Sequence, residues 1–484
     1  MSDSLLMVAG ITLPILGAPI ISVLGRWPNV RDGVALVIAV LTFATVCQLY
    51  TPVKTGLRPA LHILDLTSDL NLSFQIEPLG MLFALVASSL WILTLLYAIG
   101  YMRSHHEENQ TRFFSFFSLA IAAAIGAAFA GNMLTLFFFY ELLTLSTYPL
   151  VTHHRTPAAL KAGRIYIGIL LTTSIGFLLF AIILTYIFSG NLNFVPGGIL
   201  SGKISDLMTV ILLMLYAYGT GKAALMPIHY WLPNAMVAPT PVSALLHAVA
   251  VVKTGVFTIL KVVIYIFGIN NLSNIDSHVL LTYSATFTII VASLIALRQD
   301  NLKARLAYST IGQLAYIILG ASLVNGDGIV GASLHIAIHA FGKITLFFCA
   351  GAIMVALHKT EISDMDGIGR QMPITMTAFF IASLSIIGLP PLGGAWSKWY
   401  LLSGTLEAGF TFATVALLIS SLLNIAYLLP ITIKAFFYAN KDHNNQYSEA
   451  PLNCIVPLVL TAIISICLFI YPEPLLSLCN QLIE

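Results

Sequence analysis

The chain has 484 residues, of which 58% are hydrophobic and only 9% charged, and its mean hydropathy is +0.93. Soluble domains carry about 25% charged residues, so this composition excludes an ordinary globular protein and indicates an all-α polytopic membrane bundle in a lipid bilayer. A net charge of +2 gives no reason to expect a nucleic acid partner.

A spanning helix needs about 20 mainly apolar residues, and by that measure the sequence predicts about fourteen transmembrane helices. Their approximate ranges are 5–25, 33–51, 78–102, 113–130, 133–152, 164–189, 207–225, 241–266, 278–297, 306–324, 330–357, 373–403, 410–436 and 452–471. The N-terminus MSDSLLMVAG lacks the basic flank of a cleaved signal, so its first apolar run reads as a retained helix. Residues 51–77 form the one sizeable polar connection. Their alternating LHILDL and NLSFQI predict a short hairpin outside the membrane. Prolines and glycines interrupt two spans, around 207–241 and at Pro390-Pro391-Leu-Gly393-Gly394. No linker divides the chain, so residues 1–484 read as one transmembrane bundle.

Basic residues fix the expected orientation. Odd-numbered connections hold fourteen of them and even-numbered ones only Lys54, Arg58 and Lys203. That bias places the odd connections in the cytoplasm and both termini on the outer side.

Five lysines remain inside the predicted spans: Lys222, Lys253, Lys261, Lys343 and Lys398. Among the acids, only Glu141 sits well inside one. At about 3 kcal/mol each, five charged lysines would cost on the order of 15 kcal/mol in lipid. A wet, protein-lined interior holding some amines neutral removes that cost. Moving one carboxylate then switches a lysine's charge, which is a physical route to coupling. Lys261, near a helix end, is expected to snorkel to the interface.

Glu141 lies in FFFYELLTLSTYPL, and its natural partner is Lys222; a structural glutamate bonded to nearby hydroxyls is the plainer alternative. His335, His339 and Lys343 recur every four residues and form one polar stripe, as in a proton relay or a packed polar face. Lys398 follows the breaker-rich GLPPLGGAWSKWYLL, much as Lys222 follows a disrupted helix. His229, His247, Ser309 and Gln313 are possible helpers. Five cysteines without C-x-x-C or C/H spacing argue against a zinc site or an iron–sulfur cluster. With no phosphate loop or dinucleotide motif, neither metal nor cofactor is expected.

Five stretches together carry a resemblance: FYELLTLSTYPL, GKAALMPIHYWLPNAMVAPTPVSALLHAVAVVKTG, DNLKARLAYSTIGQLAYI, HIAIHAFGKITLFFCAG and GLPPLGGAWSKWYLL. Over about residues 70–440 the chain resembles the antiporter-like subunits shared by Mrp-type cation/proton antiporters and respiratory complex I. The resemblance implies two inverted five-helix repeats at 113–268 and 275–440, flanked by 1–112 and 451–484. It also implies broken helices 7 and 12 and a hydrated central axis. Glu141, Lys222, Lys253, His335, His339, Lys343 and Lys398 match the family's proton-translocating positions.

Within the family, the length and Lys398 favour the D-type member of Mrp antiporters, a bacterial inner-membrane protein with Na⁺ or K⁺ and protons as cargo and sister membrane subunits as partners. The N-type subunit of complex I (NADH-quinone oxidoreductase) and membrane hydrogenase subunits are the alternatives. Any enzymatic label would then belong to the assembly. A purely structural scaffold is a third reading, but it leaves the buried titratable groups without a purpose.

Overall fold

The computed structural model describes residues 2–67, 70–245, 249–439 and 446–483. Among them, ten helices are long and apolar enough to cross a membrane: Asp3–Arg26, Pro28–Lys54, Pro78–Ser104, Gln110–Ala128, Met133–Val151, Pro157–Ser189, Val279–Arg298, Gly326–Leu357, Thr411–Phe437 and Leu452–Ile470. The other four expected spans are shorter, broken or more polar. Asp206–Gly219 stops where the sequence turns to Gly-Thr-Gly, and Pro373–Ile387 stops at Gly388 and is followed by Gly394–Glu407. Thr240–Ala244 and Val251–Lys261 stand on either side of residues outside the described ones, the latter running on into a π-helical turn at Val262–Phe267. Leu302–Ser322 is long enough but opens on Lys303 and Arg305 and carries Gln313.

The expected hairpin is present. β1 (Ala60–Asp65) pairs antiparallel with β2 (Asn71–Gln75), Ala60 opposite Gln75 and Asp65 opposite Asn71. Two helices form the centre: Gly326–Leu357 is buried over almost its whole length, and Pro78–Ser104 is nearly as enclosed. Helices such as Pro157–Ser189 stay largely uncovered and display Ile175, Phe180, Ile183 and Ile187, as lipid-facing walls should.

Both breaks fit around lysines. At Gly255 a Cβ would run into the backbone of Lys222 and Ala223, so Val251–Lys261 crosses the first break at backbone distance. At Gly388, with φ +91°, a Cβ would strike the stem of Lys398. Broken helices leave orphan backbone groups that lipid cannot satisfy. The protein supplies partners: Trp231 Nε1–H donates to the Gly221 carbonyl (3.0 Å), and the Met226 N–H donates to Thr288 Oγ1 (3.2 Å).

Two cavities are walled by different sets of connections. A large one, of about 930 Å³, is walled by even-numbered connections, including Arg58, Gln75, Gly197, Asn270 and Asn325. A smaller one, of about 180 Å³, is walled by odd-numbered connections, including His154, Pro239, Lys303 and Thr360.

Candidate functional site

Lys222 stands on the short turn Gly221–Ala223, fully enclosed. Its Nζ donates to the Tyr140 carbonyl (2.8 Å) and to Thr144 Oγ1 (2.5 Å), and sits 3.1 Å from the Tyr140 ring centre. Its backbone N–H donates to the Tyr140 hydroxyl at 3.2 Å. An ammonium held by a carbonyl, a hydroxyl and an aromatic face is well stabilised out of water.

Glu141 lies between those two partners in sequence and is close enough to Lys222 for their charges to interact. Among the described residues, however, no ion pair joins the two, and neither carboxylate oxygen of Glu141 has a hydrogen-bond partner. The expected pair is therefore adjacent but not closed. The plainer alternative, a glutamate held by nearby hydroxyls, is not what the structure shows: Thr144 is bonded to Lys222 and to its own helix.

Farther along, Lys253 Nζ lies 2.7 Å from His339 Nδ1. One hydrogen bond of this kind needs one donor and one lone pair, so the two groups share a single bridging proton. The His339 ring stacks on His335 at 5.6 Å. His335 Nδ1 is 2.8 Å from Ser397 Oγ and its Nε2 is 3.0 Å from Gln313 Oε1. The ring is thus held at both nitrogens, by the Ser397 hydroxyl and the Gln313 amide. The Tyr316 ring is edge-on to His335 at 5.8 Å, and Lys398 Nζ lies 4.9 Å from the Tyr316 ring centre.

Lys398 Nζ donates to the Ile387 carbonyl (2.9 Å), the orphan end of the first half-helix, and to Ser421 Oγ (3.2 Å). Lys343 leaves the stripe sideways. Its Nζ donates to Ser309 Oγ (2.8 Å), which also accepts from the Tyr427 hydroxyl (2.9 Å), and Tyr427 in turn bonds Asn424.

The structure thus brings together Lys253, His339, His335, Gln313 and Lys398 in one line, with Lys343 and Ser309 as a branch. Lys222 and Glu141 form a separate node, joined to the line through the helix that crosses at Gly255. His229 stands apart, its ring 6.2 Å from Tyr308. His247 lies outside the described residues. Tyr140 and Thr144 stand beside Glu141 in sequence and were expected near it; the structure gives them to Lys222 instead. Sequence reasoning missed Tyr316, Ser397, Ser421, Asn424 and Tyr427. Ser397 is next to Lys398 in sequence, a signal that was there to use; the others meet their titratable groups only through tertiary packing.

One expectation fails. Lys261 does not snorkel to the interface: it is completely enclosed and ion-paired to Glu77 at 3.1 Å, and it also donates to the Ala130 carbonyl at 3.1 Å. Glu77 is itself buried. It accepts from the Leu79 and Gly80 N–H groups at the start of Pro78–Ser104 and from the Tyr265 hydroxyl. A carboxylate at a helix N-terminus is a strong fixed anion, and it draws the lysine inward. The pair forms part of the floor of the larger cavity.

Comparison with known proteins places the chain in a family and a fold. Residues 130–424 match the family described as NADH:quinone oxidoreductase/Mrp antiporter, transmembrane, and residues 65–114 match the N-terminus of complex I chain 5. NADH-quinone oxidoreductase subunit N of Desulforudis audaxviator is 32% identical over 424 residues, covering 84% of this chain and 83% of that protein. NAD(P)H-quinone oxidoreductase subunit 5 of the Chara vulgaris chloroplast is 30% identical, but the match spans only 62% of that longer protein. Among solved structures, a chain of the archaeal membrane-bound sulfane sulfur reductase superposes with a TM-score of 0.88 at 25% identity, covering 100% of this chain and 98% of that one. A chain of the Mrp complex from Dietzia sp. DQ12-45-1b superposes with a TM-score of 0.87 at 19% identity, covering 100% and 97%, and so shares the fold.

Proposed function

This chain belongs to the NADH:quinone oxidoreductase/Mrp antiporter transmembrane family, and from that premise we propose that it is the proton-carrying membrane subunit of a multisubunit Na⁺(K⁺)/H⁺ antiporter. Protons pass along Lys253, His339, His335 and Lys398, with Lys343 as a side station and the Glu141–Lys222 node as the switch. The two halves of the bundle act as inverted repeats in a bacterial inner membrane, with both termini outside. The observation that carries the reading is the 2.7 Å contact of Lys253 with His339. A proton can cross that bond either way, leaving an amine beside an imidazolium or an ammonium beside an imidazole. When Glu141 swings onto Lys222 it draws positive charge toward itself, and the neighbouring stations are free to discharge.

Lys222→Ala should abolish cation-driven proton movement in everted vesicles while the complex still assembles, as judged by its migration on a native gel. Normal pH-gradient activity in assembled Lys222→Ala complexes would sink the mechanism.

A second reading keeps the same relay but drives it by quinone reduction in partner subunits. The 32% match to a subunit N favours it. Mass identification of the subunits that co-purify decides between the two: small antiporter subunits for the first, cluster-binding subunits for the second.

A further inference from the structure

A second set of titratable groups, unused by the relay, gathers on the face of the odd-numbered connections. Glu107 holds two of its histidines: Oε1 lies 3.2 Å from His154 Nε2 and Oε2 lies 3.9 Å from His153 Nε2. His105 stacks on Tyr101 at 4.7 Å and meets His358 edge-on at 6.1 Å. Neither ring nitrogen of His105 has a hydrogen-bond partner among the described residues, nor has Nδ1 of His153. Four imidazoles thus converge from three distant stretches: the end of Pro78–Ser104, the connection after Met133–Val151, and the C-cap of Gly326–Leu357.

The cluster borders a passage inward. The 180 Å³ cavity has His154 and Tyr101 on its wall together with Pro239, Thr240 and Lys303. Tyr101 and Thr240 face each other across this wall. Thr240 in turn packs on Gly351, where a Cβ would lie 2.8 Å from Thr240 Cγ2 and would collide with the Tyr97 hydroxyl. Gly351 lies on the same helix as His335, His339 and Lys343. It lies eight residues beyond Lys343, about 12 Å along the helix.

We propose that this histidine–glutamate cluster is the proton-loading mouth of the chain. It takes protons from the bath at the odd-connection face and delivers them through the Tyr101–Thr240 cavity to the Lys343 end of the relay helix. The proposal rests on the relay reading above. An imidazole accepts a proton on one nitrogen and releases one from the other, so each step moves a proton and changes no other bond.

The surroundings suit collection followed by release. Glu107 attracts the proton. Against it stand Arg112, which donates to the His153 carbonyl at 2.9 Å, and Arg155 beside Arg112. Lys303 and Lys359 stand on the cavity wall, and His106 and Glu108 are exposed in the same connection as Glu107. Burial holds the His153 ring down at about 4, with Arg112 adding to that effect, so this innermost ring does not keep what it receives.

The test uses the whole complex in sealed vesicles with the odd connections facing the bath, comparing His154→Gln, Glu107→Gln and their combination with the parent. His154 is about a third exposed, so its substitution leaves the fold standing. A charged collecting patch raises on-rates by roughly 10–10³, so proton uptake should fall about tenfold at an alkaline bath pH. It should recover to within about twofold of the parent at a bath pH below the ordinary histidine range of about 6.5, or when imidazole buffer is added. A deficit of the same size at every bath pH, or no deficit at all, overturns the mouth. Failure of the relay reading looks different: Lys222→Ala complexes would then move protons whatever happens at His154.

Discussion

At the scale of single residues, the site depends on uncharged neighbours. Lys222 is held by a backbone carbonyl, the face of Tyr140 and Thr144 Oγ1, while Glu141 stands by without a hydrogen bond. An unpaired buried carboxylate is costly, which suits the switch proposed for this pair. The Thr144 hydroxyl holds the ammonium in the position away from Glu141. Thr144→Val should therefore unbalance the switch and slow proton transfer about tenfold, close to one hydrogen bond to a charged group. Thr147, one residue before Tyr148, is the control: it is equally buried but bonded to Tyr166, so Thr147→Val should cost about 1 kcal/mol of stability and leave the rate near parental. Pre-steady-state pH jumps in vesicles, read beside thermal unfolding in detergent, separate the two effects. Equal rates in both variants would remove Thr144 from the mechanism. The titratable stations were readable in the sequence because ionisable groups in apolar runs stand out. Their hydroxyl partners were not, since Ser397 and Tyr427 look like any other polar residue until the helices pack.

At the scale of elements, the breaks do the positioning. A lysine on an intact helix would reach sideways, whereas Lys222 on a bare turn can be set against a helix from another part of the chain. The sequence announced both breaks through Gly-Thr-Gly-Lys and Gly-Leu-Pro-Pro-Leu-Gly-Gly, and the hairpin through its alternation. It did not announce that Lys261 would turn inward, because that depends on Glu77 arriving from a helix more than 180 residues earlier. The interruption expected at 390–394 is where 373–403 divides into Pro373–Ile387 and Gly394–Glu407. The crossing at Gly255 is where element geometry is most exposed to test. A side chain there must push apart the turn that carries Lys222 and the helix that carries Lys253. Gly255→Val should destabilise the protein by about 1–3 kcal/mol, as overpacking does, and uncouple the two nodes. Its signature is a lowered unfolding temperature together with lost transport. A variant with parental stability and transport would show that the crossing is looser than it looks.

At the scale of the whole molecule, charge is sorted by face and by depth. The connections that wall the large cavity are all even-numbered, and those that wall the small one are all odd-numbered. Fourteen basic residues stand on the odd side of that division and three on the even side. Lysine and arginine resist translocation, so the proposed orientation puts the odd face in the cytoplasm, where the proposed mouth would meet the cell's own proton supply. Single cysteines report the sidedness directly. In a chain whose five native cysteines are replaced, Glu108→Cys and Ser201→Cys each place a thiol at an exposed position on opposite faces, without removing a basic residue. A membrane-impermeant maleimide should label Ser201→Cys on intact cells and Glu108→Cys only in everted vesicles. The reverse pattern would invert the molecule and turn the proposed loading mouth into an exit. Labelling of both from one side would break the odd–even division itself, and with it the count of spans on which the orientation rests.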